Sequence, residues 1–237
     1  MTRERGPLRR VQRRWKDGWV ADPDSPAARR AKTIDMLLFD HGLLRKAWRN
    51  EHQVDEGVWR SAQPDPAMIR RLAGQGIKAI VNLRGATEWG SYFLEREACR
   101  AAGIELVDFK LNSRKLPGRD ELLALDALFE RLPKPFLMHC KSGADRAGFA
   151  AALYLLLRRD LPVEEAKRQL SWRYLHLRGA ATGVLHFLLD RYAEDTAAEP
   201  MRFRDWVERR YDPEALTGAY AADPVASFLV DRVLRRE

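Results

Sequence analysis

The sequence predicts an α/β fold, a mostly parallel sheet covered by helices, and three observations lead there. From about residue 52, short β-branched or apolar runs alternate with longer segments whose apolar residues recur at helical spacing. Gly, Pro, Asn and Asp gather at the joints between them. The 237 residues, 46% hydrophobic and 32% charged, are enough for one full core with extensions.

Each element has its own justification. "GVWRSAQP" reads as a strand stopped by Pro64, and "DPAMIRRLAGQG" as a helix closed by Gly. "IKAIVNLRG" is a β-branched strand followed by turn residues, "EWGSYFLEREACRAAG" a helix, "IELVDFKL" a strand and "RDELLALDALFERL" a helix. "KPFLMHC" is a further strand, and "ADRAGFAAALYLLLRR" is the helix after it. Two more helical patterns follow, "PVEEAKRQLSWRYLHL" and "TGVLHFLLDRYAED", and "FRDWVERRYDP" suits a helix in a less regular C-terminal stretch. Ahead of the sheet, "TIDMLLFDHGLLRKAW" offers Thr33 as an N-cap and a short amphipathic helix interrupted near Gly42.

Charge and cysteine content narrow the function classes. Of the net charge of +8, residues 1–50 carry +7, so the basic excess belongs to an N-terminal arm. A nucleic-acid-binding domain would spread that charge over its folded surface, and no nucleic acid is expected as a partner. The arm, with Trp15 and Trp19, reads as a solvated tail, or alternatively as a contact for an anionic membrane surface through residues 1–32. No apolar run reaches the roughly 18 to 20 residues of a membrane span, and the N-terminus lacks the apolar core of a secretory signal. Two cysteines, Cys99 and Cys140, are too few for a disulfide framework or a four-ligand zinc site. They fit a reducing, cytoplasmic setting, with peripheral attachment at the inner face of the membrane left open. Cys99, on a helix, reads as a core thiol.

The chemistry concentrates in "KPFLMHCKSGADRAGFAAALYLLL". Arg is abundant, so an Arg six residues after a Cys is a weak motif taken alone. The context is specific. Cys140 ends a buried-type strand, where open α/β sheets place their ligands. A loop of small residues follows, containing Gly143, and then a helix begins. Backbone N–H groups around that Gly, together with the helix N-terminus, suit a tetrahedral anion. The same donors favour a thiolate over a thiol, and Arg146 can grip two phosphoryl oxygens in its planar fork. Such a site attacks a phosphate monoester through sulfur and hydrolyses the cysteinyl-phosphate in a second step, chemistry that needs no metal and no cofactor.

"HCKSGADRAG" resembles the active-site signature of the cysteine-dependent protein tyrosine and dual-specificity phosphatase superfamily, closest to the bacterial type written H-C-x-x-G-K-D-R-(T/A)-G. "VWRSAQP" and "IVNLRG" look like elements of its atypical dual-specificity members. The resemblance implies the phosphatase fold, a four- or five-stranded mostly parallel sheet with helices on both faces, over residues 52–193. Residues 1–32 are then a basic extension, 33–51 a covering amphipathic helix and 194–237 a C-terminal helical extension. By position, Cys140 is the expected nucleophile and Arg146 the clamp. The backbone of Lys141, Ser142, Gly143, Ala144, Asp145 and Arg146 forms the cradle, and His139 supports the loop.

The general acid stays open among three residues. Asp108 lies 32 positions before Cys140, an interval common in the superfamily, but sits within a strand pattern, and the loop after it offers Asn112, Ser113 and Arg114. Asp145, next to the Arg as in the bacterial type, ranks ahead of Asp108, and Asp120 comes third. Two departures matter: Ala147 replaces a Ser or Thr that assists the second step, and Ala144 replaces a Lys, leaving only Lys141 at the rim. The expected substrate is a phosphoprotein. The alternatives are a lipid or phosphoinositide, a non-catalytic phosphate-binding role, or sulfur transfer.

Overall fold

The structure, a computed structural model, describes residues 25–40, 42–177 and 181–221. The arm through residue 24, with Trp15 and Trp19 and most of the segment read as a membrane contact, lies outside the described residues. Helix α1 spans Pro26–Ile34 and is capped by Ser25, whose side chain accepts from the Ala28 N–H at 3.2 Å. That is earlier than the Thr33 cap predicted from sequence. Thr33 instead donates its hydroxyl to the Arg29 carbonyl at 2.9 Å. After a turn of π-helix at Asp35–Phe39, helix α2 spans Gly42–Ala47. The break falls where the sequence places it, because a Cβ on residue 42 would lie 2.5 Å from the Met36 carbonyl oxygen.

The strands among the described residues are β1 (His52–Asp55), β2 (Val58–Ala62), β3 (Ala79–Asn82), β4 (Glu105–Asp108) and β5 (Phe136–Cys140). They form one sheet in the order β1-β2-β5-β3-β4. All neighbours are parallel except β1 and β2. β1 is absent from the sequence reading because it is a polar, half-exposed edge strand without apolar alternation. Alternate residues face opposite layers. Ala79, Val81, Phe136 and Met138 join the larger core beneath α5 (Arg119–Arg131), α6 (Asp145–Arg159) and α8 (Val184–Asp195), numbering helices in chain order. Ile80 and Leu137 join the smaller one beneath α3 (Pro66–Gly74) and α4 (Gly90–Ala102). β5 is buried at every position and sits at the centre of the sheet.

α6 is the central helix, apolar around its whole circumference and buried from Ala147 through Leu156. The helix predicted over "PVEEAKRQLSWRYLHL" is broken instead. α7 covers only Val163–Ala166, and single 3₁₀ turns follow at Lys167–Gln169 and Trp172–Tyr174. Leu175 then adopts φ 63°, which ends the helical path. This irregular segment passes beside the loop after β5. The C-terminal extension forms α9 (Phe203–Arg209) and α10 (Pro213–Ala221), which seat Phe203, Trp206 and Tyr211 in the larger core. None of the described helices is long and apolar enough to cross a membrane.

Candidate active site

Cys140 is the last residue of β5 and Asp145 the first of α6, so the four residues between them must turn the chain. They do so through Gly143 at φ 76°. A Cβ there would also lie 2.6 Å from the Ala62 nitrogen and 2.7 Å from the Ser61 carbonyl carbon. Both the sign of φ and the close approach of β2 therefore demand glycine. No side chain caps the N-terminus of α6, which leaves the positive end of a 15-residue helix directed at the loop.

What shapes the loop is a set of groups gripping its carbonyl oxygens from outside. The Gln63 N–H donates to the Lys141 carbonyl at 3.4 Å. Asn50 Nδ2 donates to the Ser142 carbonyl at 3.1 Å and ties the same amide to the Tyr174 carbonyl at 3.0 Å. The Arg60 guanidinium donates one nitrogen to the carbonyls of Gly143 (2.6 Å) and Ala144 (3.1 Å). Its other nitrogen donates to the Gln169 carbonyl (2.6 Å) and to Gln169 Oε1 (3.0 Å). In a planar trans peptide the N–H points opposite to the C=O. Holding four successive oxygens outward therefore turns the N–H groups of Ser142, Gly143, Ala144 and Asp145 the opposite way, the Ala144 N–H donating weakly to Ser142 Oγ at 3.4 Å.

Arg60 is fully buried with its guanidinium carbon 4.1 Å from the Tyr174 ring centroid. Burial pushes its pKa down to about 10, while Cys140, Tyr174 and Asp145 favour its charged form. Gly148, the glycine after the signature Arg and Ala, answers to the same network. A Cβ on it would lie 2.7 Å from the Gln169 carbonyl oxygen and 3.0 Å from Arg60.

A second buried cluster supports the loop from the α4 side. His139, pointing away from Cys140 by strand alternation, places Nε2 2.6 Å from Glu95 Oε1, both side chains fully buried, in contact but without hydrogen-bond alignment. Glu95 also accepts from Gln63 Nε2 at 2.6 Å, and Gln63 Oε1 accepts from Arg84 and Arg45. Arg84 grips the buried Asp40 with both terminal nitrogens, at 2.7 and 3.0 Å, and Arg45 and Ser91 donate to the same carboxylate. Burial works against the Asp40 carboxylate, but Arg84 and Arg45 outweigh it and hold its pKa at about 2. Lys141 Nζ lies 3.7 Å from Asp40 Oδ1, so part of the rim charge expected from Lys141 is answered from within the protein.

The structure brings the loop residues 139–146 together as the sequence suggests. Arg146, unlike Arg45, Arg60 and Arg84, has neither a hydrogen bond nor an ion pair among the described residues, so its fork is available to a ligand. Cys99 is a core thiol, buried in α4, and burial with the nearby Glu95 charge pushes its pKa up to about 12. Of the acid candidates, Asp145 is at the loop and accepts or shares a proton with His176 Nδ1 at 2.8 Å. Asp108 ends β4 two strands from β5, in register with Asn82 and through it with His139. Its carboxylate is taken by Asn82 Nδ2 (2.8 Å) and the Tyr92 hydroxyl. Burial and the bond to Asp108 push Tyr92 up to about 12. Asp120 is exposed in the first turn of α5. In the loop between, Asn112 Oδ1 accepts from the Arg114 N–H at 2.8 Å, a local turn rather than a catalytic placement. Sequence reasoning missed Arg60, Asn50, Asp40 and His176. The "WRSAQP" element carries the signal for Arg60 but gives no sign that its side chain runs under the loop.

A parallel sheet whose central strand ends in Cys, a carbonyl-clamped anion loop and an Arg on the following helix define a cysteine-dependent phosphatase domain of the tyrosine and dual-specificity superfamily. Residues 44–180, more than half of the chain, match the family described as DSP-PTPase phosphatase fused to NAD+ kinase, and the chain belongs to that family. It is 32% identical over 106 residues to the inositol diphosphatase DSP4 of Arabidopsis thaliana, covering 42% of this chain and 51% of that protein. The chain thus spans about half the length of that curated relative. In fold it is similar to a DUF442 protein of Shewanella putrefaciens CN-32, with a TM-score of 0.50 and 19% identity over 62% of this chain and 91% of that one. The core catalytic domain of the PP-IP phosphatase SIW14 from S. cerevisiae aligns with a TM-score of 0.48 and 18% identity over 66% of this chain and 98% of that one.

Proposed function

We propose that this chain hydrolyses phosphate monoesters on protein through a cysteinyl-phosphate intermediate. The observation that carries the reading is the set of outward-held carbonyls from Lys141 to Ala144, which leaves a ring of N–H donors between Cys140 and Arg146. Those donors and the α6 N-terminus stabilise a thiolate and, equally, the equatorial oxygens of a phosphoryl group in flight. In the first step the Cys140 sulfur forms a bond to phosphorus as the ester P–O bond breaks, and Asp145 protonates the departing oxygen. In the second, water attacks phosphorus, the S–P bond breaks and Asp145 takes the water's proton. Arg146 holds two phosphoryl oxygens through both steps.

The rim favours a single phosphate over a densely phosphorylated ligand, because Asp40 draws on the Lys141 charge and position 144 is Ala. A lipid phosphate is the second reading. It is favoured by exposed apolar side chains, Trp48 beside the Asn50 tether and Trp172, Leu175 and Leu177 beside Tyr174. Residues 1–32 would add an anionic-membrane contact, and a cytoplasmic or inner-leaflet setting fits either substrate.

The test is phosphate release in EDTA at pH 5 to 7 from an aryl phosphate, a phosphotyrosine peptide, a short-chain phosphatidylinositol phosphate and a diphosphoinositol polyphosphate. Wild type is expected to turn over the first two and Cys140→Ser none. Preference for the lipid would establish the second reading. Silence on all four, with phosphate still bound, would refute the enzymatic proposal.

A further inference from the structure

His176 has no counterpart in the loop signature, yet its placement is specific. Its side chain is buried, on the irregular segment after the 3₁₀ turn at Trp172–Tyr174, and Nδ1 lies 2.8 Å from Asp145 Oδ1. Nε2 is buried with no hydrogen-bond partner among the described residues. The ring stacks on His186, with centroids 6.4 Å apart and planes 13° from parallel. His186 Nδ1 in turn lies 3.1 Å from Asp190 Oδ2, and Asp190 pairs with Lys167 at 2.7 Å. Asp145 and Cys140 both favour the charged form of the buried Arg60, and Arg146 follows Asp145 on α6.

We propose that His176 is the positioning residue of the general acid, fixing which oxygen of Asp145 carries the transferable proton. This rests on the reading of Asp145 as the acid. The tautomer follows from burial. A proton on Nε2 would be a buried donor with no acceptor, the arrangement folded proteins avoid most strongly. The proton therefore sits on Nδ1 and is donated to Asp145 Oδ1. With Oδ1 accepting, the acidic proton of Asp145 resides on Oδ2, the oxygen free to reach a leaving group. The stack on His186 keeps the imidazole from turning away, and the break in the helix at Leu175 is what brings the ring to α6. When Asp145 gives up the Oδ2 proton, the Nδ1–H stabilises the carboxylate that remains. When water is split in the second step, the proton returns to Oδ2.

The experiment compares phenyl phosphate, whose leaving group needs an acid, with 4-nitrophenyl phosphate, whose leaving group needs one far less. Wild type, Asp145→Asn, His176→Leu, His176→Asn and the Asp145→Asn/His176→Leu double variant are measured, with inorganic phosphate affinity as a check on the loop. General-acid assistance contributes about 10²–10⁴-fold. His176→Leu is expected to lose about 10–100-fold more kcat on phenyl phosphate than on 4-nitrophenyl phosphate. The Asn at 176, which can present an amide N–H near the Nδ1 position, should recover most of that difference. The double variant should be no worse than Asp145→Asn alone, since the two act as one unit.

Equal losses by His176→Leu on both esters would overturn the positioning role, as would an undiminished defect in His176→Asn or additive losses in the double variant. If Asp145→Asn itself shows no leaving-group dependence, the acid lies elsewhere and the assignment of Asp145 falls with the proposal. Wild type inactive on both esters would overturn the reading of the chain as a hydrolase of phosphoprotein-type monoesters, and this proposal with it.

Discussion

Arg60→Lys separates the clamp from the charge. The native guanidinium serves four acceptors from two nitrogens, the carbonyls of Gly143 and Ala144 on one side and both oxygens of Gln169 on the other. A lysine ammonium is a single point and can reach one side only. Two of the four acceptors are then left unpaired at up to about 1–3 kcal/mol each, and the expected destabilisation is about 2–6 kcal/mol. The functional loss has a separate origin. Released from outside, the Gly143 or Ala144 carbonyl can swing inward, which removes one N–H from the anion and presents an oxygen in its place. A hydrogen bond to a charged group is worth about 1.5–3 kcal/mol, so phosphate binding should weaken about 10–100-fold. Urea unfolding gives the first quantity, and calorimetric titration with inorganic phosphate or tungstate, under conditions where the variant is fully folded, gives the second. Phosphate affinity within two-fold of wild type, alongside the expected loss of stability, would refute the argument that Arg60 shapes the cradle.

Other consequences are as direct. Gly143→Ala forces a Cβ to 2.6 Å from the Ala62 nitrogen at φ 76°, and should abolish phosphate binding and lower the denaturation midpoint. Asp40 has its folded pKa lowered from 3.8 to about 2, so its contribution is complete above the unfolded value and is lost as pH falls toward the folded one. About 2 kcal/mol of stability should therefore disappear between about pH 5 and 2, and this part of the acid destabilisation should vanish in Asp40→Asn, a variant less stable at pH 7. Ala147→Ser restores a hydroxyl beside the loop and should speed the second step, turning a pre-steady-state burst of phenol release in wild type into a more linear time course.

How legible the site was depends on what is contiguous in the chain. The apolar strand "FLMHC", Gly143 in the turn and the apolar helix after it are all local, and their order places Cys140 at a strand end and Arg146 on the first turn of α6. The parallel order of the sheet was also legible, since strand, helix and strand alternate with short joints. The polar edge strand β1 was not, because it buries too little to leave a pattern. Nor was the break in the helix after Val163. There "KRQLSWRYLHL" has the composition of a helix, but Asn50, Arg60 and Asp145 hold it by tertiary hydrogen bonds to the Tyr174 carbonyl, Gln169 and His176. Tertiary contacts overrode propensity.

The sequence by itself determined the candidate site: a cysteine, an arginine and a helix N-terminus within seven residues, because spacing along one strand, one turn and one helix is set by backbone geometry. Only the tertiary structure decided which groups hold that chemistry in shape. Arg60 and Asn50 reach the loop from positions 83 and 92 residues away, and His176 reaches Asp145 across 31. A buried carbonyl needs a donor from whichever element packs against it, and that choice is made by the packing of β2, the segment before β1 and the chain after α7 around the loop, which no local pattern records.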